Sequence, residues 1–544
     1  MNKLLKYITL LAPAALLLSC SKSFLNRPPL STVTSNNFYQ TDAEIMAGTA
    51  PLYNIVWFDY NDKAFLAFGV ARGGNLNSND RTAYIEFDPS STDESTLLPG
   101  YKAFYKIIAQ SNLTMENIVN ATNSTATDTI KDYGLAECHF MRGLAYYYLV
   151  SNWGAVPIVY DNITQLSDSL PRNTIESVWQ FILMDMRSAA NHLPATAYQP
   201  GRINRYSAEG MLAKFYLTRA GLDKSPGARS QSDLDSAKYY ALDVIQNSGM
   251  TLPANYYNEF VGLNNNSSNN DPESLFSLQW MPENSPWGVN NTFQSYMAWT
   301  PTITQTGDGW GAAQGGSAWL VEYFLAHPED SARRKAIIMF PGDNYLDLNA
   351  AGGGTPVPNT TNYAYIKKYV IGSPADNQGK GAEQAAYCNT IVLRLAEVYL
   401  IYAEAVLGNS ASTTDASALQ YFNAVRTRAG VPTLTSLAFA DIFQEKRIEL
   451  AIEGNEWYDI LRWYYFDPAG AEAYVAAQDR GITYTLTWNG TSYAPRQYTF
   501  TSSGEKYSFN ASNVYLPFPE AEMVAAPSLA DPPVAFNFSV LPNY

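Results

Sequence analysis

The sequence is short of charge, cysteine and histidine. Charged residues account for 16% of the 544 residues and the formal net charge is −15, whereas an average soluble domain is about 25% charged. An acidic chain without a long basic run argues against nucleic acid as a partner. Three cysteines and three histidines are too few for a disulfide framework or a four-ligand zinc site. We therefore expect neither a transition-metal centre nor a nucleic-acid partner.

The motifs of several enzyme classes are missing as well. The chain has no Gly-x-Ser-x-Gly nucleophile elbow, no phosphate-binding P-loop and no Gly-x-Gly-x-x-Gly dinucleotide fingerprint. Aromatic residues, by contrast, reach 14%, and 46% of the residues are hydrophobic, which is ample for a packed core. A surface poor in charge and rich in tyrosine, tryptophan, asparagine and serine suits neutral polar ligands.

The N-terminus resembles a bacterial lipoprotein signal. Two lysines precede an apolar run over 7–18, which is of signal-peptide length. Ser19-Cys20 follows at once, as in a lipobox, so we expect cleavage before Cys20 and lipidation of its thiol. Residues 1–19 would then be the signal peptide and 20–40 a lipidated tether, and the mature chain would have a net charge of −17 because two lysines are lost. We expect the lipid anchor to be the membrane attachment, because no later run of 18 apolar residues follows.

Helical periodicity dominates two parts of the chain. Over 128–152, apolar residues recur every three or four positions, which predicts a long helix that ends at Gly154. Helical patterns cover about 96–249 and return at about 391–463. Residues 250–388 lack sustained periodicity, and this stretch is too long for a passive loop, so we expect a ligand region with short strands. We predict a mainly α fold of tetratricopeptide-like helical pairs with a large irregular, loop-rich insertion and short strands.

Four segments carry a resemblance to a known family. They are Ala136–Tyr147 continuing into Trp153–Pro157, Leu393–Ala405 with Val425–Gly430, Glu445–Gly454 continuing through Trp457, Asp459, Arg462 and Trp463, and Pro519 with Glu520 and Glu522. Together with the lipobox they resemble the SusD/RagB family, whose members are outer-membrane lipoproteins of glycan and peptide uptake in Bacteroidetes. The resemblance implies one SusD-like domain over 41–544 with a loop-rich ligand face. It also implies a SusC-like TonB-dependent transporter as partner and an outer-membrane location exposed at the cell surface.

The third of these segments alternates acids with arginines. Glu445, Glu449, Glu453 and Asp459 offer paired carboxylates of the kind that a glycosidase uses. Arginines accompany them on the same and on neighbouring helical segments, and Arg–carboxylate pairs lock buried helices together through bidentate hydrogen bonds. These arginines are Arg394, Arg426, Arg428, Arg447 and Arg462. We interpret the acids as structural and expect no enzymatic activity.

A sugar binds where aromatic rings can stack on its C–H faces and short polar side chains can meet its hydroxyls. Two aperiodic stretches, 57–81 and 280–310, supply both kinds of residue. We predict a stacking platform made of Trp287, Tyr296, Trp299 and Trp310. We predict the polar ligand contacts at Asp59, Asn75, Asp80 and Arg81.

Two further expectations concern the charge and the position of this site. The net negative charge disfavours polyanionic glycans, unless a local patch at Arg72 or Arg81 reverses the preference. If the platform is not at the predicted aromatics, the Trp57–Tyr60 loop is the second choice.

Calcium is the cation for which the sequence offers a partial pattern. Asp343, Asn344, Asp347 and Asn349 carry alternating oxygen ligands, but neither the glycine nor the closing glutamate of an EF-hand follows. We expect no cofactor, and calcium at these four residues is the alternative.

The leading hypothesis is a glycan-binding lipoprotein that captures oligosaccharides at the cell surface and hands them to the transporter. The alternative is a peptide- or other-nutrient-binding protein on the same scaffold. Clustered exposed aromatics favour the first, and a long cleft lined by backbone donors would favour the second. A glycan hydrolase is the third hypothesis, and it would have to form product from its ligand.

Overall fold

The computed structural model describes residues 38–541 except 123, 166–169, 225–226, 262–270 and 491–497. The predicted signal peptide, Cys20 and most of the predicted tether lie outside the described residues. Within the described part of the chain, no helix is long and apolar enough to cross a membrane.

The α-helices of the described chain are numbered here in chain order. They are α1 Asp42–Thr49, α2 Thr82–Ile85, α3 Leu97–Asn120, α4 Asp128–Trp153, α5 Ile175–His192, α6 Arg205–Arg219, α7 Gln231–Asn247, α8 Phe293–Met297, α9 Pro301–Thr304, α10 Ala318–Ala326, α11 Ser331–Ile337, α12 Leu395–Leu407, α13 Ala416–Ala429, α14 Phe439–Glu449, α15 Glu456–Tyr464, α16 Pro468–Ala477 and α17 Glu520–Ala525.

Consecutive long helices pack against one another. Helix α3 packs on α4, α4 on α5, α5 on α6 and α6 on α7, and α7 then packs on α12, which packs on α13. The helical scaffold is therefore continuous in space although residues 250–388 interrupt it in sequence. The predicted mainly α fold of stacked helical pairs is confirmed.

Helix α4 lies at the centre of the core. Every residue from Ala136 to Trp153 is buried, so this half of the helix is enclosed on all sides rather than on one face. Its charged residues are paired inside: Arg142, for example, donates from Nε to Asp185 at 2.8 Å. The helix ends at Gly154, whose φ of +69° favours glycine, and the predicted end is confirmed.

The strands of the described chain are short. They are β1 Leu76–Ser78, β2 Ser274–Leu278, β3 Gln314–Gly316, β4 Ile338–Met339, β5 Asn344–Tyr345, β6 Thr355–Pro356, β7 Tyr365–Ile366, β8 Thr390–Arg394, β9 Thr485–Trp488 and β10 Tyr498–Thr501. One antiparallel sheet has the order β1-β3-β7-β4, with Ser78 opposite Gln314. This sheet ties the region before the scaffold to the interrupting region, so the latter is built into the fold.

The stretch between residues 57 and 73 is a buried helical segment, and not the exposed loop that its polar sequence suggests. Two π-helical turns, Tyr60–Ala64 and Leu66–Ala71, occupy most of it. Trp57 is 0% exposed and donates from Nε1 to the carbonyl of Leu52 at 2.9 Å. The Trp57–Tyr60 loop is therefore wrong as a second choice for the stacking platform, because its three rings are buried in the core.

Two arginines from the C-terminal part of the chain hold the end of this segment. Nη2 of Arg480 donates to the carbonyls of Ala71 and Arg72 at 2.8 and 2.7 Å. Nη2 of Arg447 donates to the carbonyl of Gly73 at 2.7 Å. These bonds occupy carbonyls at the C-terminal end of the helical turns, where backbone partners run out, and they position the β1 strand that follows.

Candidate functional site

The acids of the family-like segment form a buried ionic network. Arg394 donates to Glu449, Glu453 and Glu273 at 2.6, 2.8 and 2.8 Å, and Arg333 and Arg428 also contact Glu449. Burial alone raises the pKa of Glu449, but the three arginines outweigh it and bring the pKa down to about 2. A carboxylate held ionised and enclosed in this way cannot reach a substrate, so the geometry supports a structural role.

The other two acids of the segment are paired in the same manner. Glu445 accepts from Arg333 at 2.6 Å, and Asp459 accepts from Lys446 at 2.7 Å and from Arg462 at 2.9 Å. Each of these acids is buried and paired with at least one protein cation. The arrangement therefore differs from the facing acid and base of a glycosidase.

Asn75, one of the predicted polar contacts, and Arg72, named as part of a possible cationic patch, both lie inside the protein. Asn75 is buried, accepts from Arg447 at 3.1 Å and donates to Glu456 at 3.2 Å. Arg72 is buried as well; its guanidinium lies 4.0 Å from the centre of the Trp457 ring and donates to the carbonyl of Val514. Both groups are committed to protein partners, and we therefore leave them out of the candidate site.

Trp310 marks one end of the exposed aromatic surface. Its side chain is 46% exposed, and its backbone N–H donates to the carbonyl of Ser295 at 2.7 Å. The ring of the half-buried Tyr296 packs edge-on against it, with 5.7 Å between the ring centres. The Arg81 guanidinium lies 5.7 Å from the centre of the Tyr296 ring, so three predicted residues do lie together here.

Trp287 marks the other end. It is 51% exposed and stands edge-on to Phe58, with 5.2 Å between the ring centres. Ile55 is exposed beside it, near the backbone of Gly288. Asp59, the next residue after Phe58, is half-exposed and lies 3.7 Å from Lys106.

The outer face of the π-helical segment connects the two ends. Asp59 and Lys63 point outward, about one turn apart, while the three residues between them are buried. Lys63 binds the buried Asp62 at 2.6 Å; partial burial lowers the pKa of Lys63, but Asp62 and Tyr296 together raise it above the ordinary value. We call the whole path the Trp287–Trp310 surface, and its members are Ile55, Asp59, Lys63, Asp80, Arg81, Trp287, Tyr296 and Trp310.

Trp299 differs from the exposed tryptophans because part of its ring is already covered. It is half-buried, and one face of its indole is stacked on Tyr365, with 5.2 Å between ring centres and 13° between planes. Only the opposite face is left for a ligand, so its predicted place in the platform stays a prediction. Asp80 is exposed at the surface, next to Arg81.

The acid-rich loop that suggested calcium has cationic partners instead. Asp343 is paired with Arg334, and Asp347 lies 3.3 Å from Lys367 and accepts from the hydroxyl of Tyr257 at 2.6 Å. Among the described residues, no group of three or more potential ligands could hold a metal ion. These carboxylates are neutralised by protein cations, so their geometry does not fit the calcium alternative.

A separate groove of about 640 Å³ lies between α10 and α14. Its rings are already stacked within the protein: Arg447 lies 4.1 Å from the centre of the Trp319 ring, and Tyr323 stacks on His327 at 4.3 Å. The groove thus offers fewer free ring faces than the Trp287–Trp310 surface, which is the better candidate for a stacked ligand.

Sequence reasoning missed Lys63 and Ile55. Ile55 begins a short 3-10 turn and Lys63 lies in a wide π-helical turn, and neither turn has a periodicity that the sequence around it displays. The charges of Asp59 and Lys63, four residues apart in an aromatic stretch, are the signal that could have indicated Lys63; no sequence signal indicates Ile55.

Comparison with known proteins finds similarity along the whole chain. A model of the SusD family matches residues 272–533, and a model described as starch-binding associating with outer membrane matches residues 53–217. A SusD-like protein of Bacteroides ovatus is 33% identical, over 98% of this chain and 98% of its own.

Solved structures of other proteins have a similar fold. A crystal structure with a xylogluco-oligosaccharide is 33% identical and has a TM-score of 0.82, covering 91% of this chain and 99% of that one. A laminarin-binding SusD-like protein is 22% identical with a TM-score of 0.65, covering 90% and 98%, and this second likeness concerns the fold alone.

Proposed function

The chain belongs to the SusD family, and from that premise we propose that it binds an oligosaccharide on the Trp287–Trp310 surface. We further propose that it is anchored to the outer membrane through Cys20, faces the outside of the cell and delivers its ligand to a SusC-like TonB-dependent transporter. Residues 20–40 would serve as the tether and 41–544 as the binding domain.

One observation carries the binding proposal: two half-exposed tryptophans lie on either side of the outward-pointing polar side chains of Asp59 and Lys63. A sugar ring stacked on an indole removes apolar surface from water, which stabilises the complex by about 25 cal/mol per Å². Asp59, Lys63 and Asp80 supply acceptors and donors for the hydroxyls along the same path. A wrong epimer would leave such groups unpaired, which is how specificity for one sugar arises.

The relatives guide the choice of the first ligands. Because one 33% identical structure holds a xylogluco-oligosaccharide, we propose glucan-type oligosaccharides as the class to test first. Peptide binding remains the alternative, but the Trp287–Trp310 surface presents rings and side-chain groups, and these suit a sugar better than an extended backbone. We propose no hydrolysis, so a bound oligosaccharide should be recovered unchanged by chromatography.

The double variant Trp287→Ala/Trp310→Ala tests the site. We expect it to weaken oligosaccharide binding tenfold or more, equivalent to about 1.4 kcal/mol, with the melting temperature changed by no more than about 2 °C. Isothermal titration with a xylogluco-oligosaccharide and thermal unfolding measure the two quantities. Tyr239→Ala is the matched control, because Tyr239 is an exposed ring on α7 outside the proposed site. Unchanged binding in a folded double variant would place the site elsewhere.

Delivery to a transporter predicts a stable or ligand-dependent complex in the membrane. The full-length lipidated chain, purified in mild detergent from its native host, should carry a barrel-sized companion of the TonB-dependent class, identified by mass spectrometry. A Cys20→Ala chain from the same host is the control and should leave the membrane fraction. Recovery of the lipidated chain without such a companion, with and without oligosaccharide, contradicts the proposed partnership.

A further inference from the structure

Arg81 is an exception among the buried arginines. It is 8% exposed, and burial lowers the pKa of its guanidinium. In the residues that the structure describes, no hydrogen bond or ion pair reaches this guanidinium. The other buried arginines, such as Arg142, Arg394 and Arg480, each donate several hydrogen bonds. A buried cation without partners is costly, and its presence in a folded protein calls for a missing group.

The position of Arg81 indicates where that group comes from. Its guanidinium lies over the Tyr296 ring, which in turn packs against the exposed Trp310. Nε is enclosed and has no partner. Because the terminal nitrogens are neither enclosed nor bonded within the described residues, they are the ones that remain open to solvent. A planar fork of donors is therefore presented at the Trp310 end of the surface.

The two neighbouring acids, Asp62 and Asp80, do not hydrogen-bond to the Arg81 guanidinium. Asp62 attracts Arg81 through space, but its carboxylate is bound to Lys63 at 2.6 Å and accepts from the hydroxyl of Thr292 at 2.6 Å. Asp80 also attracts Arg81, yet its exposed carboxylate makes no ion pair with it. The two acids partly oppose the lowering of the Arg81 pKa by burial, but they do not use its hydrogen-bond donors.

The chemistry of the fork selects its ligand group. Guanidinium and carboxylate are planar groups of matching spacing and form two parallel hydrogen bonds, which are roughly twice as strong as bonds between neutral groups. A sugar hydroxyl would satisfy one donor and leave the charge unpaired. The net charge of −15 opposes a polyanion at long range, and a single acid on an otherwise neutral oligosaccharide avoids that repulsion.

We propose that Arg81 selects oligosaccharides that carry a carboxylate, as in a hexuronic acid substituent, next to the sugar stacked on Trp310. This inference rests on the proposed function, because it names the class of ligand for the same surface. It predicts that an acidic substituent strengthens the binding of an oligosaccharide whose other sugars are neutral.

Pairs of ligands that differ by one carboxylate test the proposal. A panel of oligosaccharides each bearing a single uronic acid is compared with the same compounds after chemical reduction of the carboxyl group to an alcohol. We expect the folded full-length chain to bind at least one acidic member ten times or more tightly than its reduced counterpart. Arg81→Gln should reduce that ratio to below two, and Arg81→Lys should give an intermediate ratio because the charge stays and the fork is lost.

Two control variants distinguish a specific role of Arg81 from a general effect of the protein's net charge. Arg187→Gln removes the same charge from an exposed position on α5 and should leave the ratio unchanged. Asp80→Asn should increase the ratio, because it removes the negative charge beside the incoming carboxylate. If Arg81→Gln does not fold, the wild-type ratio and the Asp80→Asn result still decide the matter.

The outcomes also separate this proposal from the one on which it rests. Equal binding of acidic and reduced ligands, or a ratio that persists in Arg81→Gln, overturns the role of Arg81 while the stacking site stands. A monosulphated oligosaccharide that binds as tightly as the carboxylated one overturns the assignment to a carboxylate. Binding that is indifferent to Trp287→Ala/Trp310→Ala, or no binding of any oligosaccharide, overturns both.

Discussion

Glu449→Gln is expected to destabilise the protein by about 3–5 kcal/mol, the usual cost of breaking a buried charge network. The glutamine is nearly the same size, so the loss comes from charge: Arg394, Arg333 and Arg428 would face a neutral amide in the protein interior. A loss of this size is a large share of the about 5–15 kcal/mol that holds a typical domain folded.

Urea unfolding followed by circular dichroism measures the effect. Glu383→Gln is the matched control, because Glu383 is exposed and its side chain is outside the network. Any Glu449→Gln protein that remains folded should bind oligosaccharide as the wild type does. An unchanged unfolding midpoint would contradict the structural role of this carboxylate, and normal stability with lost binding would revive a functional one.

Glu456→Gln is expected to change how stability depends on pH. Glu456 is buried without an ion pair among the described residues, and its Oε1 accepts from the backbone of Ile452 and from Asn75. Burial is the main cause that raises the pKa of Glu456 to about 7, and the N–H donors only partly oppose it. The folded state thus holds a proton that the unfolded state releases near its ordinary pKa.

The pKa of Glu456 is higher in the folded than in the unfolded state, and this difference sets the direction in which stability changes with pH. The favourable contribution of the protonated Glu456 is complete below about pH 4.5 and is lost as the pH rises through about 7, up to about 3 kcal/mol at 1.36 kcal/mol per pKa unit. Glu449 and Asp459 act oppositely, because charged partners outweigh burial and hold the pKa of each at about 2. The contribution of Glu449 is lost as the pH falls from about 4.5 to about 2, and that of Asp459 as the pH falls from about 3.8 to about 2.

Comparing the free energy of unfolding of Glu456→Gln with that of the wild type between pH 4.5 and 8.5 isolates the contribution of the Glu456 carboxyl. The free energy of unfolding of Glu456→Gln, relative to wild type, should rise with pH across this interval and level off above about pH 8. A constant offset from the new amide does not affect this slope. Parallel curves for the two proteins would show that the carboxyl is ionised in the folded state throughout.

The helical scaffold was predictable because its signals are local. The periodic residues of 128–152 and the stop at Gly154 specify α4 without reference to the rest of the chain. The alternation of Glu445, Arg447 and Glu449 likewise predicts buried ion pairs around α14, because charges that are buried with a helix need partners. The structure adds which arginine meets which acid.

The candidate site was predictable only in part, because exposure is decided by distant residues. Trp57 and Trp287 sit in similar polar, aromatic surroundings in sequence, yet Trp57 is covered by Phe104 and Tyr148 while Trp287 stays open. Asn75 follows two glycines like an exposed loop residue, but Arg447 and Glu456 enclose it. Nothing near these positions in the sequence reports such partners.

The arginines that cap the π-helical segment also set the order in which the protein matures. Arg447 and Arg480 reach back over 374 to 409 positions of the chain to the carbonyls of residues 71–73, and contacts of such long sequence separation form late because they close a large loop. While the chain is still being synthesised or exported, the strand that follows residue 73 has no fixed support. The Trp287–Trp310 surface is therefore completed only when the chain has been extended past residue 480, and we expect an unfinished or C-terminally clipped molecule to bind the proposed ligand less tightly than the finished one.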